Sequence, residues 1–227
     1  MLPKYEEAVK YFNMKRWDSA LQAFQEVDAS GFTSGEKADL AYYLGLCYTK
    51  LERYNDAVLY LEQVVAGDSG NLRICQCRIT LAFIYLNTKR YKMADFELDR
   101  LVKGGVKSSQ IFTMLGFSAW NQNQNERAVE YYEKALEIEA SNTTAMNALG
   151  FILADTGQDA DRGVSLCKQA VEKKPNSPSY LDSLGWAYYK AGDMNEARSY
   201  IRRALDLAPK QKEISNHMKI IVGGETP

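Results

Sequence analysis

Six positions carry the smallest side chains at a near-constant interval. Ala8, Gly45, Ala82, Gly116, Gly150 and Gly185 are separated by steps of 37, 37, 34, 34 and 35 residues. The same neighbours return around them: Leu44-Gly45 with Tyr48 and Ala57, Leu115-Gly116 with Ala128, Leu149-Gly150, and Leu184-Gly185 with Tyr188 and Ala197. Self-similarity at a fixed period is the mark of stacked repeats, in which each unit buries its apolar face on its neighbours instead of in one large core. All 227 residues are therefore read as one elongated domain, 1–227.

Within each period, apolar residues recur at three- and four-residue steps between short polar or glycine-containing turns, which predicts two amphipathic helices per unit. The sixth unit shows the pattern most fully: Leu181, Leu184-Gly185, Tyr188, the turn Gly192-Asp193, then Ala197, Ile201, Ala204 and Pro209. Gly185 and Ala197 are small enough to let the two helices of the hairpin approach. Leu184, Tyr188 and Ile201 are expected on the faces that meet the partner helix and the next unit. Pro209 stops the second helix.

Six hairpins follow, at about 3–30, 35–68, 72–105, 108–140, 142–176 and 177–209. The first two units are longer, and the surplus falls at Ala29 to Gly35 and at Gly67-Asp68-Ser69-Gly70, which predicts longer turns there. Gly104-Gly105 and Asn121 to Asn125 mark further turns. Beyond Pro209, Ile214, Met218 and Ile221 form one apolar stripe, so a C-terminal helix over about 211–222 is expected to cap the open end of the stack.

These residues resemble the tetratricopeptide repeat family, whose consensus places a large residue, Leu-Gly, an aromatic, Ala, an aromatic or aliphatic, Ala and then Pro at these spacings. The resemblance covers roughly Lys4 to Pro209 and is strongest in the last three units, where Ala128, Tyr132 and Ala135 complete the fourth. Asn147-Ala148-Leu149-Gly150 and Asp182-Ser183-Leu184-Gly185-Trp186 look like the C-terminal repeats of many bacterial members. Departures are Ala8 and Ala82 in place of the glycine, Ala119 in place of the aromatic, and Gly163 in place of alanine. The resemblance implies an all-α, right-handed α-solenoid of about six helix-turn-helix repeats with a capping helix.

Several functions lose support from the composition. With 28 Lys and Arg against 29 Asp and Glu, the net charge is −1, which gives no bulk attraction for nucleic acid. The longest apolar run, Leu81 to Leu86, is far short of the roughly 18 residues that a spanning helix needs, so a soluble chain without membrane insertion is expected. Its first residues, Met1 to Glu7, lack the apolar stretch of a signal peptide. The cytoplasm, or a bacterial periplasm after removal of a leader, both stay open.

The chain has one histidine, His217, at least fifty residues from any cysteine, and no triad, zinc spacing or phosphate-cradling glycine loop. It is read as no enzyme, with no cofactor and no metal. Cys47, Cys75, Cys77 and Cys167 are read as small apolar side chains at mostly inward positions. Asn142 in Asn142-Thr143-Thr144 fits a glycosylation acceptor and, better, a helix N-cap.

In the family, the first helix of each pair lines a concave groove, and the resemblance places there the residues one after, four after and three before the glycine. One after come Val9, Leu46, Phe83, Phe117, Phe151 and Trp186. Four after come Phe12, Thr49, Leu86, Trp120, Ala154 and Tyr189, and three before come Tyr5, Tyr42, Ile79, Thr113, Asn147 and Asp182. The expected groove is thus Tyr42, Leu46, Phe83, Leu86, Thr113, Phe117, Trp120, Asn147, Phe151, Asp182, Trp186 and Tyr189. The aromatics either fill the interior of the stack or line a surface for a partner, and the core positions are already taken by Leu44, Leu81, Leu115, Leu149 and Leu184.

Members that clamp a chaperone's C-terminal carboxylate carry a lysine three before the glycine and an asparagine after it. No unit here has that pair. The expectation is a non-catalytic scaffold that binds a peptide or protein segment. The alternatives are a self-assembling module, hence a homo-oligomer, and a binder of a small apolar ligand or lipid.

Overall fold

The computed structural model describes residues 3–67 and 71–223, and every regular element among them is an α-helix. The turn expected at Gly67 to Gly70 falls mostly on residues 68–70, outside the described residues, as do Met1 and Leu2. Six hairpins appear in order: α1 (Pro3–Asn13) with α2 (Trp17–Gln25), α3 (Ser34–Lys50) with α4 (Tyr54–Ala66), and α5 (Asn71–Asn87) with α6 (Tyr91–Lys103). Then come α7 (Ser109–Asn121) with α8 (Asn125–Ile138), α9 (Thr143–Asp155) with α10 (Ala160–Lys173), and α11 (Pro178–Lys190) with α12 (Met194–Leu207). A last helix, α13 (Lys212–Gly223), follows. The chain divides into two compact units, Met1–Lys107 with α1 to α6 and Ser108–Pro227 with α7 to α13.

The small residues do what their spacing predicts. A Cβ built on Gly185 would sit 2.7 Å from the Ile201 side chain and 3.1 Å from the Ala197 carbonyl, and one on Gly150 would meet the Gly163 carbonyl at 2.7 Å. Gly163, the departure from the alanine consensus, therefore lets α9 and α10 approach until each backbone touches the other. Leu44, Leu81, Leu115, Leu149 and Leu184 are all buried.

Each hairpin bends at one residue of positive φ: Lys15, Glu52, Lys89, Asn123, Gly157 and Gly192. These follow the small-residue positions at a constant offset of seven, so the turn belongs to the repeat. Only the last two turns use the residue that is free of the left-handed penalty.

Adjacent hairpins of the first unit are joined through the tyrosines that follow the small residue. Gln25 Nε2 donates to the Tyr48 hydroxyl at 2.8 Å, and the Tyr85 hydroxyl donates to Glu62 Oε1 at 2.8 Å. In the second unit, Asn142 caps α9 by accepting from the Thr144 and Ala145 amides at 3.1 and 3.0 Å. Its Nδ2 donates to Ser109 Oγ at 2.7 Å and Thr113 Oγ1 at 3.0 Å, so the cap also ties α9 to α7.

Candidate functional site

Six of the twelve expected groove residues meet in the second unit. Phe117, Trp120, Asn147, Phe151, Asp182 and Trp186, from α7, α9 and α11, share the wall of a cleft of about 600 Å³. They converge because each stands on the first helix of its hairpin one after, four after or three before a buried glycine. Phe117 is the most open, 44 % exposed. Trp120 and Phe151 meet edge to face with ring centres 6.1 Å apart, the arrangement that aromatic quadrupoles favour. Asn147 donates through Nδ2 to Ser183 Oγ at 3.0 Å, while its buried Oδ1 has no hydrogen-bond partner. An unpaired buried acceptor is costly, and this one sits in the wall of a cleft.

The far end of the cleft is closed by the chain itself. Ile214 and Ile221 of α13 are buried against α11 and α12, with Met218 partly buried between them, as the C-terminal stripe predicts. The same helix brings His217 flat onto Trp186, with ring centres 4.2 Å apart, and its Nδ1 lies 2.9 and 3.1 Å from the two oxygens of Asp182. Trp186 is consequently only 8 % exposed. Its indole N–H donates to Asp155 Oδ1 at 2.8 Å, and Lys190 Nζ is 3.7 Å from the same oxygen. Two groove positions that the repeat pattern leaves free are thus partnered by a residue 35 and 31 positions further along the chain. Sequence reasoning passed over His217 as a cap residue; the one signal for it was its place within a helix turn of Met218 on a stripe already known to pack.

The remaining expected residues lie elsewhere. Thr113 spends its hydroxyl on the Ser109 carbonyl and on Asn142, inside the stack. Tyr189 is buried, and so is Leu86 in the first unit, so both belong to the packing and not to an open wall. In the first unit, Tyr42 and Leu46 are half-buried, Tyr42 donating to Gln76 Oε1 at 2.9 Å, whereas Phe83 is 45 % exposed.

The thiols are laid out as packing groups. Cys47, Cys77 and Cys167 are buried, Cys75 is half-buried and all four are free. Burial pushes each of the three buried thiols up to about 12. Among the described residues no group of three His, Cys, Asp or Glu side chains is placed to hold a metal ion, and no helix is long and apolar enough to cross a membrane.

Six helical hairpins in series, each seated on the small residues of its own crossing, define a helical-repeat solenoid fold. Family models of the tetratricopeptide repeat match residues 5–71, 109–142 and 178–211, more than half of the sequence. The chain belongs to the tetratricopeptide repeat family, whose members are protein-interaction scaffolds.

Among curated relatives, the TPR repeat-containing protein PA4667 of Pseudomonas aeruginosa is 36 % identical over 80 residues, covering 35 % of this chain and 13 % of that protein. The mitochondrial import receptor subunit TOM70 of Homo sapiens is 20 % identical over 200 residues, covering 86 % of this chain and 33 % of the receptor. The chain thus spans a third or less of the length of these two relatives. Among solved structures, YrrB, described as a TPR protein with an unusual peptide-binding site, superposes with a TM-score of 0.61 at 19 % identity. That match covers 80 % of this chain and 92 % of YrrB.

Proposed function

We propose that the chain is a non-catalytic scaffold that receives a peptide or protein segment in the cleft of its second unit. The observation that carries this reading is the gathering, in one cleft of about 600 Å³, of exposed Phe117 and half-buried Trp120 and Phe151 with Asn147, whose buried Oδ1 is unpaired. Phe117, Trp120 and Phe151 offer apolar and π surface to side chains. The Asn147 amide stands in the same wall and adds a polar group beside them, which suits an extended segment. The likeness to YrrB, a TPR protein with an unusual peptide-binding site, and to TOM70, an import receptor subunit, supports the same reading.

Aromatic anchors that become fully buried in a complex contribute on the order of 2 kcal/mol or more each. Replacing Phe117 and Phe151 together with Ala is therefore expected to abolish capture of crosslinked native partners while leaving the circular dichroism spectrum unchanged. Undiminished capture by the folded double variant would dismiss the cleft as the site. Trp186 is left out of this test because it is packed beneath His217.

A further inference from the structure

At its closed end the second-unit cleft already has an occupant, supplied by the chain. The His217 ring lies between two aromatic side chains, stacked on Trp186 with ring centres 4.2 Å apart and 24° between the planes, and 6.4 Å from Phe151. Its edge meets a carboxylate, Nδ1 lying 2.9 Å from one oxygen of Asp182 and 3.1 Å from the other. A carboxylate only accepts, so Nδ1 carries the proton and donates. Asp182 is buried, and among the described residues its carboxylate has His217 as its one partner. Lys190 Nζ lies 5.3 Å from the Trp186 ring centre and is spent on Asp155. Among the described residues no Lys or Arg lines the cleft, whereas Asp155, Asp182 and Glu213 do.

The imidazole fits this slot incompletely. It turns one N–H toward two acceptor oxygens, where the carboxylate has room for two donors side by side. A guanidinium has what the histidine offers and what it lacks: a flat face that stacks on an indole, and a fork of parallel N–H groups matched to both oxygens of a carboxylate. An ammonium has no such face. Nor is His217 what holds its helix in place. Ile214 and Ile221 are buried against α11 and α12, while the His217 side chain lines the cleft and stays 20 % exposed.

We infer that Trp186 and Asp182 form a subsite for the guanidinium of an arginine, and that His217 holds this subsite closed in the free protein. The arginine stacks on Trp186, donates to both oxygens of Asp182 and displaces the imidazole. The histidine turns about its Cα–Cβ bond, and the two isoleucines keep α13 docked. That the arginine belongs to a partner's segment rests on the function proposed above; the subsite and its gate do not. Such a gate makes binding selective, because the apparent affinity of any occupant falls with the fraction of time the subsite stands open.

His217 is the single histidine of the chain, so its ring C–H signals stand alone in proton NMR, displaced by the ring current of the indole beneath. The whole protein is titrated with three blocked pentapeptides that carry arginine, citrulline or lysine between alanines. The arginine peptide is expected to move the His217 signals to the positions of an exposed histidine and to shift the Trp186 indole N–H, and the other two are not. In His217→Ala the indole signal should report the arginine peptide bound about fivefold tighter or more, as for a ring that covers the subsite at least about four-fifths of the time. Adding Asp182→Asn to that variant removes a buried charge along with its lost partner, and should erase the preference for arginine over citrulline. The alanine flanks make no use of Phe117 or Phe151. The response should therefore persist in the Phe117→Ala and Phe151→Ala double variant, and partner capture by that variant succeeds or fails separately. The titration of the unaltered protein stands whether or not His217→Ala folds. An unmoved histidine signal with the arginine peptide, equal response to citrulline or lysine, or equal affinity of the parent and folded His217→Ala would each overturn the assignment.

Discussion

At the scale of single residues, positions that carry only a hydrogen or a methyl hold as much of the architecture as the large side chains around them. Gly185 faces Ile201 and the Ala197 carbonyl with no room for a Cβ, so Gly185→Leu must push α11 from α12. A loss of roughly 1 to 3 kcal/mol or more is expected, read as a lower denaturation midpoint. Gly157 is different, for a Cβ there meets nothing and only its φ of 70° matters. Gly157→Ala is expected to cost about 1 kcal/mol through left-handed strain alone. Glu52→Gly, at the equivalent turn, should cost little or stabilise.

The buried thiols make a separate prediction at this scale. Because Cys47, Cys77 and Cys167 are raised to about 12 from the ordinary 9.0, the native state keeps protons that the unfolded chain gives up. Stability should then be unaffected below pH 9 and fall as pH rises from 9 toward 12, as the native state binds the more protons there. Native protein treated with iodoacetamide near pH 8 should be alkylated at half-buried Cys75 and spared at the other three, as peptide mass mapping would read.

At the scale of elements, α13 has two jobs that its sequence presents as one. Ile214 and Ile221 close the apolar end of α11 and α12, while His217 occupies the groove position above Trp186 and Asp182. His217→Ala should leave the helix docked, since both isoleucines remain, and should raise solvent access to Trp186. The expected readout is a red shift and stronger quenching of tryptophan emission. Ile214→Ala instead empties a core site at a cost of about 2 to 5 kcal/mol.

The elements themselves were legible: α1 to α12 follow from the three- and four-residue apolar steps, and their crossings from the small residues. What the repeat ruler could not tell was which groove-facing positions stay open. Leu86 and Tyr189 satisfy the same offset rule as Trp120, yet both are buried. An offset fixes the side of a helix on which a residue stands, and its exposure depends on the neighbours that arrive from other helices.

At the scale of the whole molecule, the second unit is compact in itself, with its own cluster of buried residues running from Met146 to Ile221. Ser108–Pro227 produced alone is expected to unfold in one cooperative transition and to keep the candidate cleft, all of whose lining residues it contains. A calorimetric scan of that fragment checks the first expectation, and capture of crosslinked partners by it checks the second. The first unit has a cleft of its own, of about 480 Å³, lined by Tyr5, Asp28, Phe32, Glu36 and Asp39 among others, and the contrast between the two clefts is also a property of the whole chain. One wall is aromatic and amide-bearing, the other acidic beside tyrosine and phenylalanine, although both are built from hairpins of the same repeat.

The sequence by itself determined the helical hairpins, their number, the close crossings at Gly150 and Gly185 and the stripe of α13, because each rests on periodicity within a few turns of helix. Only the tertiary structure decided that His217 covers Trp186, that Asn147 Oδ1 is left unpaired, and that Asp28, Glu36 and Asp39 share a cleft with Tyr5. Those facts depend on contacts between segments tens of residues apart, where loop lengths and packing angles set the outcome and no local pattern records it.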